Sequence, residues 1–169
     1  WEAGAKLAVR NPADRTVKTW VDLDGDEEVD GGEVIDFDET NASLLRPFLN
    51  AVDDAEAADI INFIRGSEIS GYRDRNITLG GVEQVWKLGD IVHSAPAFSA
   101  SPLERYHLIY GDSGYGTFVN KWKERPLTVF VGANDGMLHA VNAGYYVANE
   151  DRYYRGQILN PNPTLADFS

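Results

Sequence analysis

Ten carboxylates and not one Lys or Arg fall within the eighteen residues 22–39, DLDGDEEVDGGEVIDFDE. Like charges this close repel, and a hard divalent cation held by oxygen ligands neutralises them most directly. The spacing is more specific than the count. Asp22, Asp24, Asp26, Glu28, Asp30 and Glu33 stand at positions 1, 3, 5, 7, 9 and 12 of a twelve-residue window. Those are the positions from which an EF-hand loop offers oxygen to Ca2+, with a backbone carbonyl at position 7, a group acting through water at 9 and a bidentate Glu at 12. Val29 at position 8 is the β-branched apolar residue usual there, and Gly25 is at position 4. Position 6, normally the Gly of a sharp turn, is Glu27, so the loop is either strained there or turns differently, at a cost in affinity. A solvated acidic turn is the plain alternative, but a chance acidic run would not keep this order of ligands.

The acidity is local. The chain of 169 residues carries a formal net charge of -12, yet outside residues 22–39 there are 17 acids against 15 bases. No basic patch offsets the acidic run, which disfavours nucleic acid as a partner. With 43% hydrophobic and 11% aromatic residues the chain can bury a core of about one domain. No run of eighteen apolar residues is present, so no membrane span is expected. The absence of cysteine excludes disulfides, c-type haem attachment and thiolate metal sites. The opening at Trp1 and the loop-like Asn160-Pro161-Asn162-Pro163 near the end suggest a piece of a longer protein. An acidic, cysteine-free chain with a calcium loop suits the outside of a bacterial cell, where millimolar calcium fills even a weak site.

The elements that must position the loop follow from periodicity. Leu7 to Val21 alternates as one or two strands, and Val34 to Phe37 is a short strand, so the loop at 22–33 is expected between strands and not between helices. Leu44, Leu45, Phe48, Leu49 and Val52 share a helical face after a cap at Ser43. Ala57, Ala58, Ile60, Ile61 and Ile64 mark a second helix between Asp53-Asp54 and Gly66, which makes a helical insertion at about 43–65. Residues 67–84 are expected as a long surface loop, with strands at Gln84 to Leu88 and Asp90 to Ser99. Tyr115, Phe118, Val119 and Trp122 share a helical face capped by Asp112 or Ser113. Leu127 to Gly132 and Met137 to Val141 are two strands joined by the turn Ala133-Asn134-Asp135-Gly136. This hairpin has the form of a β-propeller blade. The fold expected is mainly β with helical insertions, an incomplete quinoprotein-like β-propeller of one or two blades over residues 1–146, followed by a loop-rich tail at 147–169.

Three runs in order carry a resemblance: Trp86-Lys87-Leu88-Gly89-Asp90-Ile91-Val92-His93-Ser94-Ala95-Pro96, then Tyr115 and Phe118, then Val131 to Ala140 (VGANDGMLHA). Phe63-Ile64-Arg65-Gly66 and Tyr72-Arg73-Asp74-Arg75 precede them. Over residues 1–146 this order resembles the PilC/PilY-type proteins, the type IV pilus biogenesis factors and tip adhesins. The resemblance implies a carboxy-terminal modified β-propeller with an EF-hand-like calcium loop, matching Asp22, Asp24, Asp26, Glu28 and Asp30 here. It implies a protein at the cell surface or pilus tip, periplasmic in transit, that supports pilus assembly, counteracts retraction in a calcium-dependent way and contributes to adhesion and twitching; the function expected here is a non-enzymatic one of that kind. Its partners would be type IV pilin and minor pilins, the remainder of its own propeller or adhesin chain, and a host or surface ligand.

Two enzymatic readings compete. Gly111-Asp112-Ser113-Gly114 spells the tetrapeptide around a trypsin-like nucleophile, but Ser113 falls where a helix should begin and no accompanying His segment is present. His93, His107 and His139 are too scattered for a ligand set and are expected as strand or loop residues with satisfied rings. A quinoprotein dehydrogenase shares the blade repeat, but that repeat is a packing motif and the cofactor pocket would need groups from several blades. A purely structural extracellular calcium-binding module is the remaining alternative.

Overall fold

Short polar and apolar segments in this chain build two compact units, Trp1–Leu88 and Gly89–Ser169, within a computed structural model that describes residues 3–123, 125–147 and 152–154. The first unit begins with helix α1, Ala3–Ala8, where alternation from Leu7 suggested a strand. Three alanines favour helix, and Gly4 lies so close to the Trp86 indole that a Cβ there would sit 2.4 Å from the ring. A 3₁₀ turn at Pro12–Asp14 follows, with Asn11 accepting from the Ala13 N–H. Strand pairing starts only at β1, Lys18–Trp20, which runs antiparallel to β2, Val34–Asp36, with Trp20 opposite Val34. Backbone bonds from Val21 N–H to the Glu33 carbonyl (3.0 Å) and from Phe37 N–H to the Val17 carbonyl (2.8 Å) extend the ribbon at both ends.

Two helices back the ribbon. Asp38, not Ser43, provides the first cap, accepting from the Thr40 N–H and starting a 3₁₀ turn that leads into α2, Ala42–Leu49. Asn50, at φ 53°, ends α2. Asp53 caps α3, Asp54–Arg65, through the Glu56 N–H, while Gly66 at φ 116° closes it. The second helix therefore has the bounds its periodicity indicates. Ala57 and Ile61 of α3 are fully buried against Val21, Ala42 and Leu45, with Ile35, Phe37 and Leu49 packed around them. Val21, which leads into the acidic loop, is thus part of the hydrophobic core, and Ile35, two residues past the loop, packs against it.

Residues 67–84, expected as a loop, contain a hairpin. β3, Asn76–Leu79, pairs antiparallel with β4, Val82–Val85, across Gly80-Gly81, both at positive φ. Two successive residues of this kind make the primed turn that matches strand twist. The strands themselves are short and half polar, so their alternation is weak. Beside them the buried Lys87 ammonium donates to the carbonyls of Ala8 (2.7 Å) and Val85 (3.3 Å).

The second unit is a four-stranded antiparallel sheet with its strands in chain order: β5 Ala97–Ser99, β6 Leu127–Gly132, β7 Leu138–Val147 and β8 Arg152–Tyr154. The β6–β7 hairpin appears as the sequence indicates, with Gly132 opposite Leu138 and the turn closed by Ala133 and Gly136. Between β5 and β6 lie α4, Tyr106–Ile109, and α5, Ser113–Trp122, whose cap is Asp112 accepting from the Tyr115 N–H at 2.9 Å. Helix α4 has no counterpart in the sequence reading. β8 lies within the segment 147–169, the rest of which beyond Val147 is outside the described residues. Helix and strand take comparable shares of the described chain. The fold is therefore a mixture of helices and small antiparallel sheets, less β-dominated than the sequence suggested, and no closed barrel forms among the described residues.

Candidate metal centre

The acidic loop is the whole connection between β1 and β2, so its two ends are fixed by a ladder and by the core below it. Within it, each of Asp22, Asp24 and Glu33 offers a carboxylate oxygen within 4.8 Å of the other two. Asp24, Asp26 and Asp30 form a second such group, sharing Asp24 with the first. Glu28 belongs to neither group, and its side chain is exposed. Five of the six residues singled out by spacing therefore fall in one or other of two carboxylate triads that meet at Asp24. The sixth occupies the position whose backbone carbonyl is the ligand atom in an EF-hand loop.

The loop is organised by its own carboxylates. Asp22 accepts from the N–H groups of Gly25 (2.6 Å) and Glu27 (3.2 Å), closing the first turn, and Asp26 accepts from Glu28 (2.8 Å). Glu27 takes φ 62°, the left-handed conformation that a Gly would supply at no steric cost. The turn expected of position 6 is thus made, and a non-glycine residue is held in it.

Glu33 is the anchor. It is only 2% exposed, and its two oxygens receive the Leu23 N–H (2.6 Å), the Trp20 indole N–H (2.9 Å) and the Asp30 N–H (3.3 Å). The Leu23 N–H and the Trp20 indole, against the opposing effect of burial, hold its carboxyl below the usual glutamate value. The role of Trp20 was not foreseen. Its position two residues before the first ligand was the only available signal.

Ser113 and His139 have local structural roles, whereas His107 lies in helix α4 instead of a strand or loop and its buried Nδ1 has no hydrogen-bond partner among the described residues. Ser113 is the first residue of α5, and its carbonyl accepts from the Thr117 hydroxyl, in keeping with a helix start. The His139 ring lies 2.8 Å from Asp135, so it is a strand histidine with a satisfied nitrogen. Asp135 also accepts from the N–H groups of Gly89 (2.9 Å) and Met137 (3.0 Å). Burial pushes its carboxyl up, but the bonds from Gly89, His139 and Met137 outweigh that and hold it below its ordinary value.

No protein-family profile and no solved structure matches this chain. Among curated proteins it is 32% identical over 158 residues to the type IV pilus biogenesis factor PilY1 of Pseudomonas aeruginosa strain UCBPP-PA14, a match that covers 84% of this chain and 12% of that relative. It is 34% identical over 102 residues to PilY1 of Pseudomonas aeruginosa strain PAK, covering 55% of this chain and 8% of the relative. With the PilY1 homolog of Xylella fastidiosa strain Temecula1 it shares 35% identity over 92 residues, covering 52% and 7%. The chain thus spans no more than 12% of the length of these relatives.

Proposed function

This chain belongs to the PilY1 family of type IV pilus biogenesis factors, and on that premise we propose that it is a non-enzymatic, calcium-modulated segment acting in pilus assembly, retraction control and adhesion at the bacterial surface. The two carboxylate triads, Asp22 with Asp24 and Glu33 and Asp24 with Asp26 and Asp30, joined at Asp24, are the observation that carries the calcium half of this reading. Ca2+ keeps its oxygens at about 2.3–2.6 Å, so ligand atoms on opposite sides of one ion lie roughly 5 Å apart. Carboxylate oxygens within 4.8 Å of one another fit that span. The set is all oxygen and heavily anionic, which suits a hard cation and not a soft transition metal.

In this reading the five carboxylates and the Glu28 carbonyl hold the ion, and the ion supplies the positive charge that the loop lacks. Without it the acids repel and the loop loosens, so occupancy couples to loop order. The chain-ordered four-stranded sheet supports, by its antiparallel connectivity, a reading of the second unit as one propeller blade whose neighbours come from the rest of the pilus factor. Pilins and minor pilins are the partners this function calls for. Among the described residues no helix is long and apolar enough to cross a membrane.

Calorimetric titration with CaCl2 tests the site. Wild type should give a saturable binding isotherm, and Asp22→Ala/Asp24→Ala should lose it; identical heats for the two proteins would refute the site. In a piliated host the same double substitution, placed in the full-length protein, should reduce surface pili when calcium is present. Equal piliation in mutant and wild type would remove calcium from the function.

A further inference from the structure

Arg65, in the last turn of α3, is 9% exposed and sends its guanidinium to both sides of the ribbon that carries the acidic loop. On the exit side Nη1 donates to the Phe37 carbonyl at 2.9 Å. On the entry side Nη2 donates to the carbonyls of Arg15 (2.8 Å), Pro12 (3.2 Å) and Ala13 (3.4 Å). Arg15 answers from the entry side, its own guanidinium donating to the carbonyls of Ile64, at 3.2 Å, and Arg65 at the end of α3. Phe37 and Val17 close the foot of the ribbon, and Val21 and Glu33 close its top immediately below the loop. One planar side chain on a helix fixed by Ala57 and Ile61 therefore bridges the two chain segments at the foot of the ribbon, the end opposite the loop.

We infer that Arg65 is a positioning residue for the acidic loop: it clamps the base of the β1–β2 ribbon and sets the spacing between Asp22 and Glu33 before any cation arrives. The planar fork suits this place because its two terminal nitrogens are held apart in one fixed plane, one on the Phe37 carbonyl and the other on the Arg15 carbonyl, whereas the ammonium of Lys offers all its donors from a single point. Loss of the clamp takes the donor away from the part-buried Phe37 carbonyl on one side and the buried Arg15 carbonyl on the other, and lets the two strands separate at the foot. Its effect on cation affinity rests on the calcium reading above; its effect on the ribbon does not. Orienting groups behind metal ligands commonly change affinity by roughly ten- to hundredfold when removed.

The test compares Arg65→Lys and Arg65→Gln with wild type in the 169-residue chain. Amide hydrogen exchange without calcium should quicken roughly tenfold or more at Val21 and Phe37, the amides that close the ribbon. Exchange at Ile61, in the middle of α3, should stay near wild type, which separates a clamp from a general loss of stability. Calcium titration followed by Trp20 fluorescence should then show roughly ten- to hundredfold weaker binding, with Lys no substitute for Arg. Unchanged exchange at Val21 and Phe37 would overturn the clamp. So would a loss shared equally by Ile61, or an unchanged affinity beside a wild type that binds calcium. A wild type that takes up no calcium, with the exchange pattern as expected, would instead overturn the calcium reading and leave the clamp standing.

Discussion

Glu27 occupies φ 62° at the one loop position where glycine is the usual solution. A side chain in the left-handed region costs about 1–2 kcal/mol, and part of that is offset because glycine is freer when unfolded. Glu27→Gly should therefore raise the melting point, equivalent to about 1 kcal/mol, and tighten calcium binding; thermal unfolding and titration of the two proteins check both. Asp135 in the second unit accepts from the Gly89 and Met137 N–H groups and lies against the His139 ring. Its folded pKa lies below the ordinary 3.8, so the stabilisation it contributes is complete above that pH and is lost as pH falls through the folded value. Acid titration followed by near-ultraviolet circular dichroism should show wild type losing structure below about pH 3.8, with Asp135→Asn giving a flatter acid limb. The carboxylate spacing of the loop was legible residue by residue in the sequence. The indole of Trp20 and the guanidinium of Arg65 were not, because their partners are separated in the chain and brought near only by folding.

Helix α3 is the element on which the loop's support depends. Ile61 is fully buried, so Ile61→Ala should destabilise the first unit by about 2–5 kcal/mol, whereas Phe48→Ala, at 67% exposure on α2, should cost far less. Urea denaturation of the two variants distinguishes them. The same helix shows why some elements were readable from sequence. Its apolar period, Asp53 cap and Gly66 terminator all agree. At α1 they conflict, since the alternation from Leu7 suggests a strand while alanine content and the close fit of Gly4 on Trp86 favour helix. The β3–β4 hairpin was missed for another reason: its strands are only four residues each, and its one strong signal was Gly80-Gly81.

At the scale of the molecule, the second unit exposes much apolar surface. Leu103, Leu108, Ile109 and Tyr110 are each at least 65% exposed, as are Phe98 of β5 and Leu138 of β7. Exposed apolar surface on this scale binds hydrophobic dyes and promotes association. The 169-residue chain should therefore enhance anilinonaphthalene sulfonate fluorescence, and Leu108→Ser with Ile109→Ser should reduce that enhancement without lowering the melting point. An unchanged dye signal would place the binding surface elsewhere.

The sequence by itself determined the acidic loop, the six positions at ligand spacing, the strands on either side of it, the α3 bounds and the β6–β7 hairpin. Each of these is specified by residues within about twenty positions of one another, where periodicity, caps and turn chemistry act directly. Only the tertiary structure decided that Glu33 is buried beneath Trp20, that Arg65 joins both feet of the ribbon, and that Gly89 must lack a side chain to meet Asp135. Those contacts depend on which backbone carbonyls and N–H groups come within about 3 Å of a side chain, a distance set by packing and not by spacing along the chain.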